Sequence, residues 1–200
     1  ESIGHRLVNF AVTDDGPSDL KPLHHNERWN QPNDLCRTPR GDIYFTDPDF
    51  KNRKTSAVYM WSKGEVTKVI DDMPVPNGII ASLDGRTLYV ADSHEKHWRA
   101  YPIDDDGTLG QGRVFFDPKT DNDASPDGMS IDERGNLYCT GRGGVWVVTP
   151  NGKPLGLIKT PMFTSNCTLG GKDGKTLFMV GSGKVLSIRL QVRSAPFARQ

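Results

Sequence analysis

The chain has 200 residues, of which 35% are hydrophobic, and its formal net charge is zero. This length is enough for one domain with a substantial core, and we expect residues 1–200 to form a single domain. The absence of excess positive charge excludes nucleic acid as an expected partner. No apolar run approaches the about 20 residues that span a bilayer, so no membrane association is expected. Compartment and oligomeric state stay open.

Four short segments repeat one pattern, in which an asparagine or aspartate directly follows a proline or a serine. Eight residues after that polar residue stands a glycine, and an apolar–aromatic pair follows the glycine. A fixed offset that occurs four times identifies an internal repeat. The repeats begin at "QPNDL" (Asn33, then Gly41), "VPNGI" (Asn77, then Gly85), "SPDGM" (Asp127, then Gly135) and "TSNCT" (Asn166, then Gly174).

Each repeat predicts a strand, a tight turn and a returning strand, followed by two further strands. In "PNGIIASLDGRTLYVAD" the central "LDGR" is typical of a hairpin, because Asp and Gly tolerate the positive φ of tight turns. Short β-rich runs bounded by Gly, Pro and Asp dominate the chain, and no long segment has a helical apolar period. Four strands in each repeat of about 40 to 50 residues are typical of a β-propeller blade.

The sequence predicts seventeen strands in chain order. "HRLVNFAV" and "LKPLH" would be the last two strands of one blade, three complete blades follow, and the last repeat ends with a third strand, "KVLSIRL". A six-bladed propeller has 24 strands, and the other seven would precede Glu1. We therefore expect an all-β fold, a six-bladed β-propeller of which this chain covers roughly the last four to four and a half blades. The final segment, residues 191–200, is expected to be a frayed terminus.

The polar residues of the repeats are expected to meet around the propeller axis, because the first strand of each blade lines the central channel. Asn33, Asn77 and Asp127 then form a cluster of hard oxygen ligands that suits calcium, with magnesium as the smaller alternative. The second strand of each blade returns to the same face. It should bring Asp47, Asp92, Ser93, His94 and Arg142 there, with Asp47, Asp92 and His94 as candidates for substrate contact or proton transfer.

These segments resemble the senescence marker protein/regucalcin/gluconolactonase family of six-bladed propellers, most of all its bacterial gluconolactonase branch. The resemblance implies a divalent metal, commonly calcium, held in the central channel by one glutamate, two asparagines and one aspartate. Asn33 and Asn77 match the asparagines, Asp127 matches the aspartate, and no segment of this sequence matches the one that carries the glutamate. The segments that carry the resemblance are "QPNDL…GDIYFTD", "PNGIIASLDGRTLYVADS", "SPDGMSIDERGNLY", "YFTDP" and "SNCTLGGKDGKTLF".

The resemblance also implies an activity, because many members of the family hydrolyse lactones. We expect the metal to act as a Lewis acid on the lactone carbonyl, with Asp127 holding or deprotonating the attacking water. Some members place an arginine two residues before the first ligand asparagine, where it can help to hold a sugar. Here Gln31 stands at that position, which makes it a candidate substrate contact and leaves sugar-acid specificity open.

Two other functions stay open at this point. One is an organophosphate-type phosphotriesterase on the same metal, and the other is a non-catalytic propeller that binds protein or calcium. Asn166 occupies the fourth motif position, but the family pattern does not make it a ligand, so a buried structural amide is expected there. Cys36, Cys139 and Cys167 form no paired motif and are expected to be small core residues.

Overall fold

The computed structural model describes residues 4–120 and 123–195, and these ranges contain seventeen strands and no helix. Within them, therefore, nothing forms an apolar helix of membrane-spanning length. The strands form five antiparallel sheets of two, four, four, four and three strands in chain order, as the sequence predicts. We number these sheets blades 1 to 5. Blade 1 contains β1 (Arg6–Thr13) and β2 (Gly16–His25); blade 2 contains β3 (Leu35–Arg37), β4 (Ile43–Asp47), β5 (Ala57–Ser62) and β6 (Glu65–Ile70); blade 3 contains β7 (Pro76–Ala81), β8 (Thr87–Asp92), β9 (His97–Pro102) and β10 (Arg113–Phe116); blade 4 contains β11 (Met129–Ile131), β12 (Leu137–Gly141), β13 (Gly144–Val148) and β14 (Pro154–Lys159); blade 5 contains β15 (Asn166–Gly170), β16 (Thr176–Gly181) and β17 (Lys184–Arg189).

The turn between the first two strands of each repeat is the predicted tight hairpin. In blade 3 the Gly85 N–H donates to the Ser82 carbonyl at 2.9 Å, and Gly85 has a φ of 68°. A side chain at this φ would be strained, which explains the glycine at a fixed distance from the motif. The equivalent glycines all have positive φ: 94° at Gly41, 80° at Gly135 and 71° at Gly174.

The hydrophobic core lies between successive blades. Between blades 2 and 3, Tyr44 and Val58 pack in one fully buried cluster with Leu88 and Val90. Phe45, the residue after Tyr44, points to the other face of blade 2 and packs with residues of the preceding segment. The second strands of blades 2, 3 and 4 are buried almost throughout, on both faces, as their largely apolar sequences require.

The inner strands of blades 3, 4 and 5 approach so closely that they touch through their backbones. A Cβ atom on Gly78 would lie 2.0 Å from the carbonyl oxygen of Asp127, and a Cβ atom on Gly128 would lie 2.2 Å from Cγ of Asn166. At Gly78 only glycine fits, because the neighbouring atoms are backbone, whereas at Gly128 the neighbouring atoms belong to the side chain of Asn166. The approach brings the motif residues Asn77, Asp127 and Asn166 next to one another.

Hydrogen bonds at the same end join neighbouring blades. Thr46 Oγ1 donates to the Asn77 carbonyl at 2.8 Å, which links blade 2 to blade 3. The equivalent residue of blade 4, Thr140, donates to the Gly128 carbonyl of its own blade at 2.8 Å, and the Gly128 N–H links blade 4 to blade 5 by donating to the Ser165 carbonyl at 2.8 Å. These bonds satisfy buried carbonyl groups that the sheets leave unpaired.

The expectation of a frayed terminus is wrong for residues 191–195. The Ser194 N–H donates to the Gly174 carbonyl at 2.8 Å, and the Ala195 N–H donates to the Ile131 carbonyl at 3.3 Å. This segment supplies backbone partners to the hairpin turns of blades 4 and 5, so Ala195 is only 6% exposed. The rest of the segment, residues 196–200, lies outside the described residues.

The three cysteines are free thiols, as expected of core residues. Cys139 and Cys167 are buried, and Cys36 is partly buried. Burial raises the pKa of the Cys139 thiol well above its usual value.

The contact at Gly78 predicts a stability difference between two glycine substitutions in full-length protein. Gly78→Ala should lower the free energy of unfolding by about 1–3 kcal/mol, because its Cβ would overlap a backbone that cannot rotate away. Gly156→Ala is the matched control, since nothing lies within 4 Å of a Cβ atom there, and it should be neutral or slightly stabilising. Urea denaturation measures both. Equal stability of the two variants would contradict the close packing.

Candidate metal centre

The three predicted ligands lie at the same end of their blades. Asn33 precedes β3, and its N–H donates to the Thr46 carbonyl at 2.8 Å. Asn77 is the second residue of β7, and Asp127 stands two residues before β11. The contacts of Thr46 with Asn77, and of Gly78 with Asp127, link the three positions in chain order from blade 2 to blade 4.

Asn77 is a buried amide with one unsatisfied end. It is 7% exposed, and its Nδ2 donates to Ser93 Oγ at 3.0 Å. Its Oδ1 is buried and has no hydrogen-bond partner among the described residues. A buried carbonyl oxygen without a partner is costly, so this atom indicates a position where a ligand could bind.

Asp127 is a half-buried carboxylate at the same end of the blades. Burial, followed by the nearby charge of Asp34, raises its pKa to about 6, and the adjacent backbone N–H of Gly128 opposes this rise. None of the basic side chains in the described ranges forms an ion pair with it. A desolvated carboxylate at the same end of the blades as an unpartnered amide oxygen is a suitable environment for a hard cation.

Asp34 is a residue of this centre that the sequence reasoning missed. Its Oδ1 accepts the Leu35 N–H at 2.8 Å, and its Oδ2 accepts the Ile79 N–H of the next blade at 3.2 Å. Burial raises the pKa of Asp34. The signal lay in the repeat itself, because blades 3 and 4 carry glycine directly after the motif residue where blade 2 carries this aspartate.

The other two asparagines of the repeat are exposed. Asn33 lines a small cavity of about 30 Å³ together with Asp34. Asn166 lies against Gly128, and its Oδ1 accepts the Cys167 N–H at 2.8 Å. The expectation that Asn166 is a buried amide is wrong, because its side chain lies over the neighbouring motif rather than between two blades.

Asp47 and Asp92 are buried supports of turns on this face, at 0% and 1% exposure. Asp47 accepts the N–H groups of Asn30 at 2.9 Å and Gln31 at 2.8 Å, and burial raises its pKa. Asp92 Oδ1 accepts the His94 N–H at 2.9 Å. Both carboxylates hold backbone that leads to or from the site, and their contact with a substrate stays an untested prediction.

Exposed side chains on the same face complete the surroundings of the site. Gln31 and His94 are both exposed, so each is accessible to a substrate. The His94 ring lies 2.7 Å from the guanidinium of Arg53, a residue that the sequence reasoning did not select. Arg142 donates to the Thr120 carbonyl at 3.1 Å.

The ligand chemistry of the centre is that of oxygen donors. In the part of the chain that the structure describes, no three His, Cys, Asp or Glu side chains come together as a metal site. A cation here would therefore depend on amide oxygens as well as on Asp127. Neutral oxygen donors with few carboxylates suit calcium or magnesium rather than a transition metal.

The sequence and the fold both match known proteins. The sequence pattern of the family described as "SMP-30/Gluconolactonase/LRE-like region" covers residues 6–183. A gluconolactonase of Zymomonas mobilis is 34% identical over 191 residues, which are 83% of this chain and 52% of that protein. The solved structure of a gluconolactonase from Xanthomonas campestris has a TM-score of 0.76 at 30% identity, and the match covers 92% of this chain and 68% of that chain.

A second solved structure, from Agrobacterium tumefaciens, is described as a calcium-binding protein, regucalcin. Its TM-score is 0.77 at 22% identity, with 96% of this chain and 76% of that chain covered, and this likeness shows the fold alone. The seventeen strands of this chain are about 71% of the 24 strands in a six-bladed propeller. This fraction is close to the 68% and 76% of the two solved chains that the matches cover. This agreement confirms the predicted fold.

The chain spans about half the length of the first curated relative that it matches. The match to the family pattern nevertheless extends over most of the described residues, from β1 to the last hairpin of blade 5. The chain belongs to the SMP-30/gluconolactonase/LRE-like family.

Proposed function

We propose that the protein is a metal-dependent hydrolase that opens lactone rings, with its metal held by Asn33, Asn77 and Asp127. The observation that carries this proposal is the buried Oδ1 of Asn77, which has no hydrogen-bond partner among the described residues. Asn77 lies at the same end of the blades as the half-buried Asp127, which forms no ion pair with a basic side chain of the described residues. The lactone substrate is supported by the similarity to the Zymomonas and Xanthomonas gluconolactonases.

Calcium is the cation that fits these donors best. Calcium accepts carboxylate, amide and water oxygens in a flexible shell, whereas magnesium demands a strict octahedron. Two amide oxygens and one carboxylate, with Asn33 open to water, suit such a flexible shell. Water and further groups of the full-length protein would complete the shell.

The reaction that we propose is the addition of water to the lactone carbonyl. A cation held at this centre would supply Lewis acidity toward the carbonyl oxygen. Asp127 would take a proton from the attacking water. Because a carboxylate that also binds a cation is a weak base, this transfer would depend on water whose acidity the cation has raised. The new C–O bond forms, the ring C–O bond breaks, and Asp127 returns the proton to the alkoxide that leaves. The product is a hydroxy acid.

The remaining residues of the face would bind and orient the substrate. Gln31 and His94 are exposed on it and can hydrogen-bond to ring hydroxyl groups. Asp47 fixes the backbone of Gln31, so its contribution would be to position that residue. Partial exclusion of water around Asp127 strengthens the electrostatic interactions there.

Replacing Asp127 separates the chemical role from the binding role. In full-length protein, Asp127→Asn should lower kcat for lactone hydrolysis by about 10²- to 10⁴-fold at saturating calcium, because the base is lost. One ligand oxygen remains, so calcium should still bind, although more weakly. The assay is pH-stat hydrolysis of gluconolactone and of simple five- and six-membered lactones.

The control is Asp14→Asn, which removes an exposed carboxylate in the turn of blade 1 and should leave kcat unchanged. Turnover by Asp127→Asn at the wild-type rate would remove Asp127 from the mechanism. Metal-bound wild-type protein that hydrolyses phosphotriesters but no lactone would favour the phosphotriesterase alternative. Turnover of neither substrate would favour a binding propeller.

The raised pKa of Asp127 predicts how calcium affinity depends on pH. The cation needs the charged carboxylate of Asp127. Protons compete with the cation for this carboxylate when the pH falls below its pKa of about 6. The Kd for calcium should be flat above about pH 7 and should rise toward tenfold for each pH unit below the pKa. Isothermal titration calorimetry between pH 4.5 and 8 measures this. A flat Kd across the range, or the same slope in Asp127→Asn, would contradict the assignment.

A further inference from the structure

The side chain of Asn77 has two ends of nearly equal shape and opposite chemistry. Its Oδ1 accepts hydrogen bonds and can bind a cation, whereas its Nδ2 only donates. A buried asparagine that binds a metal must therefore be held with the oxygen facing the ion. Asn77 is 7% exposed, so water cannot fix this orientation freely. Some group of the protein has to do so.

The contacts of Ser93 fix the orientation of this amide. Ser93 Oγ lies 2.5 Å from the carbonyl oxygen of Pro126 and 3.0 Å from Nδ2 of Asn77. The Pro126 carbonyl can only accept, so the single hydroxyl proton of Ser93 is committed to it. Toward Asn77, Ser93 can then only accept, which requires Nδ2 to face the hydroxyl and leaves Oδ1 pointing away.

The same hydroxyl links two of the proposed ligands across a blade boundary. Asn77 and Ser93 belong to blade 3, and Pro126 directly precedes Asp127 at the entrance to blade 4. The hydroxyl therefore sets both the orientation of Asn77 and its separation from Asp127. At the equivalent position, sixteen residues after the motif residue, blade 2 has Asp49 and blade 4 has Gly143. Asn33 is exposed and can be oriented by solvent.

We infer that Ser93 is a positioning residue for the metal centre: it presents Oδ1 of Asn77 to the cation and fixes the spacing of Asn77 and Asp127. This inference rests on the proposed metal site. Ser93 itself is not a ligand in this arrangement, because its proton is directed to Pro126 and one of its lone pairs to Asn77. Its effect should therefore be seen in metal affinity more than in the chemical step.

The test is calcium binding to full-length protein, measured by isothermal titration calorimetry without substrate. Ser93→Ala should weaken calcium binding by about 10- to 100-fold, the usual effect of removing a group that orients a ligand. Ser93→Thr keeps the hydroxyl and should restore most of the affinity. At saturating calcium, the kcat of Ser93→Ala should approach that of wild type. Ser82→Ala is the control, because Ser82 is a hydroxyl of the opposite hairpin bonded to Asp84, and calcium affinity should not change.

The outcomes separate this inference from the proposed function. Wild-type protein that binds no calcium or magnesium would overturn both. Wild-type protein that binds calcium, together with Ser93→Ala of equal affinity, would overturn the inference and leave the metal site standing. An equal loss in Ser93→Ala and Ser93→Thr would show a merely structural role and would also overturn it. Should the alanine variant fail to fold, Ser93→Cys keeps the volume with a weak hydrogen-bonding group, and the same loss of affinity is expected.

Discussion

The structure depends on the close approach of the inner strands at one end of the propeller. The carbonyl group of Asp127 lies where a side chain on Gly78 would begin, and the side chain of Asn166 occupies the same place beside Gly128. Packing this tight lets successive sheets bury their apolar faces against each other in one core per boundary. It also places consecutive motif residues side by side, which no single blade could do.

The close packing of the blades removes polar groups from water, which is unfavourable in free energy unless those groups find other partners. Second-strand hydroxyls satisfy some of them, as Thr46 does for the Asn77 carbonyl. The buried turn aspartates Asp47 and Asp92 do the same for backbone N–H groups. Several buried polar atoms have no hydrogen-bond partner among the described residues, and Oδ1 of Asn77 is one of them. At the same end of the blades, the carboxylate of Asp127 forms no ion pair with a basic side chain of the described residues. We attribute this pair to function, because a bound cation would satisfy both.

Much of this was accessible from the sequence, because the relevant signals are local. Strand alternation, the hairpin glycines and the repeat interval gave the strand count, and blade topology predicted the common face of Asn33, Asn77 and Asp127. The contacts between blades were not accessible, since they depend on distances that no local pattern records. One such contact is the hydrogen bond from the Ile79 N–H to Asp34. Another is the pairing of residues 191–195 with the hairpin turns of blades 4 and 5. Sequence alone placed Ser93 on the correct face but could not show which atom of Asn77 it holds.

The most direct test of the account is a crystal structure of full-length protein grown with calcium. An anomalous difference map locates the cation independently of the refined ligands. The account predicts one calcium ion at the inner end of blades 2 to 4, with oxygens of Asn33, Asn77 and Asp127 at about 2.3–2.6 Å. A calcium ion bound elsewhere, or Nδ2 rather than Oδ1 of Asn77 facing an empty channel, would contradict it.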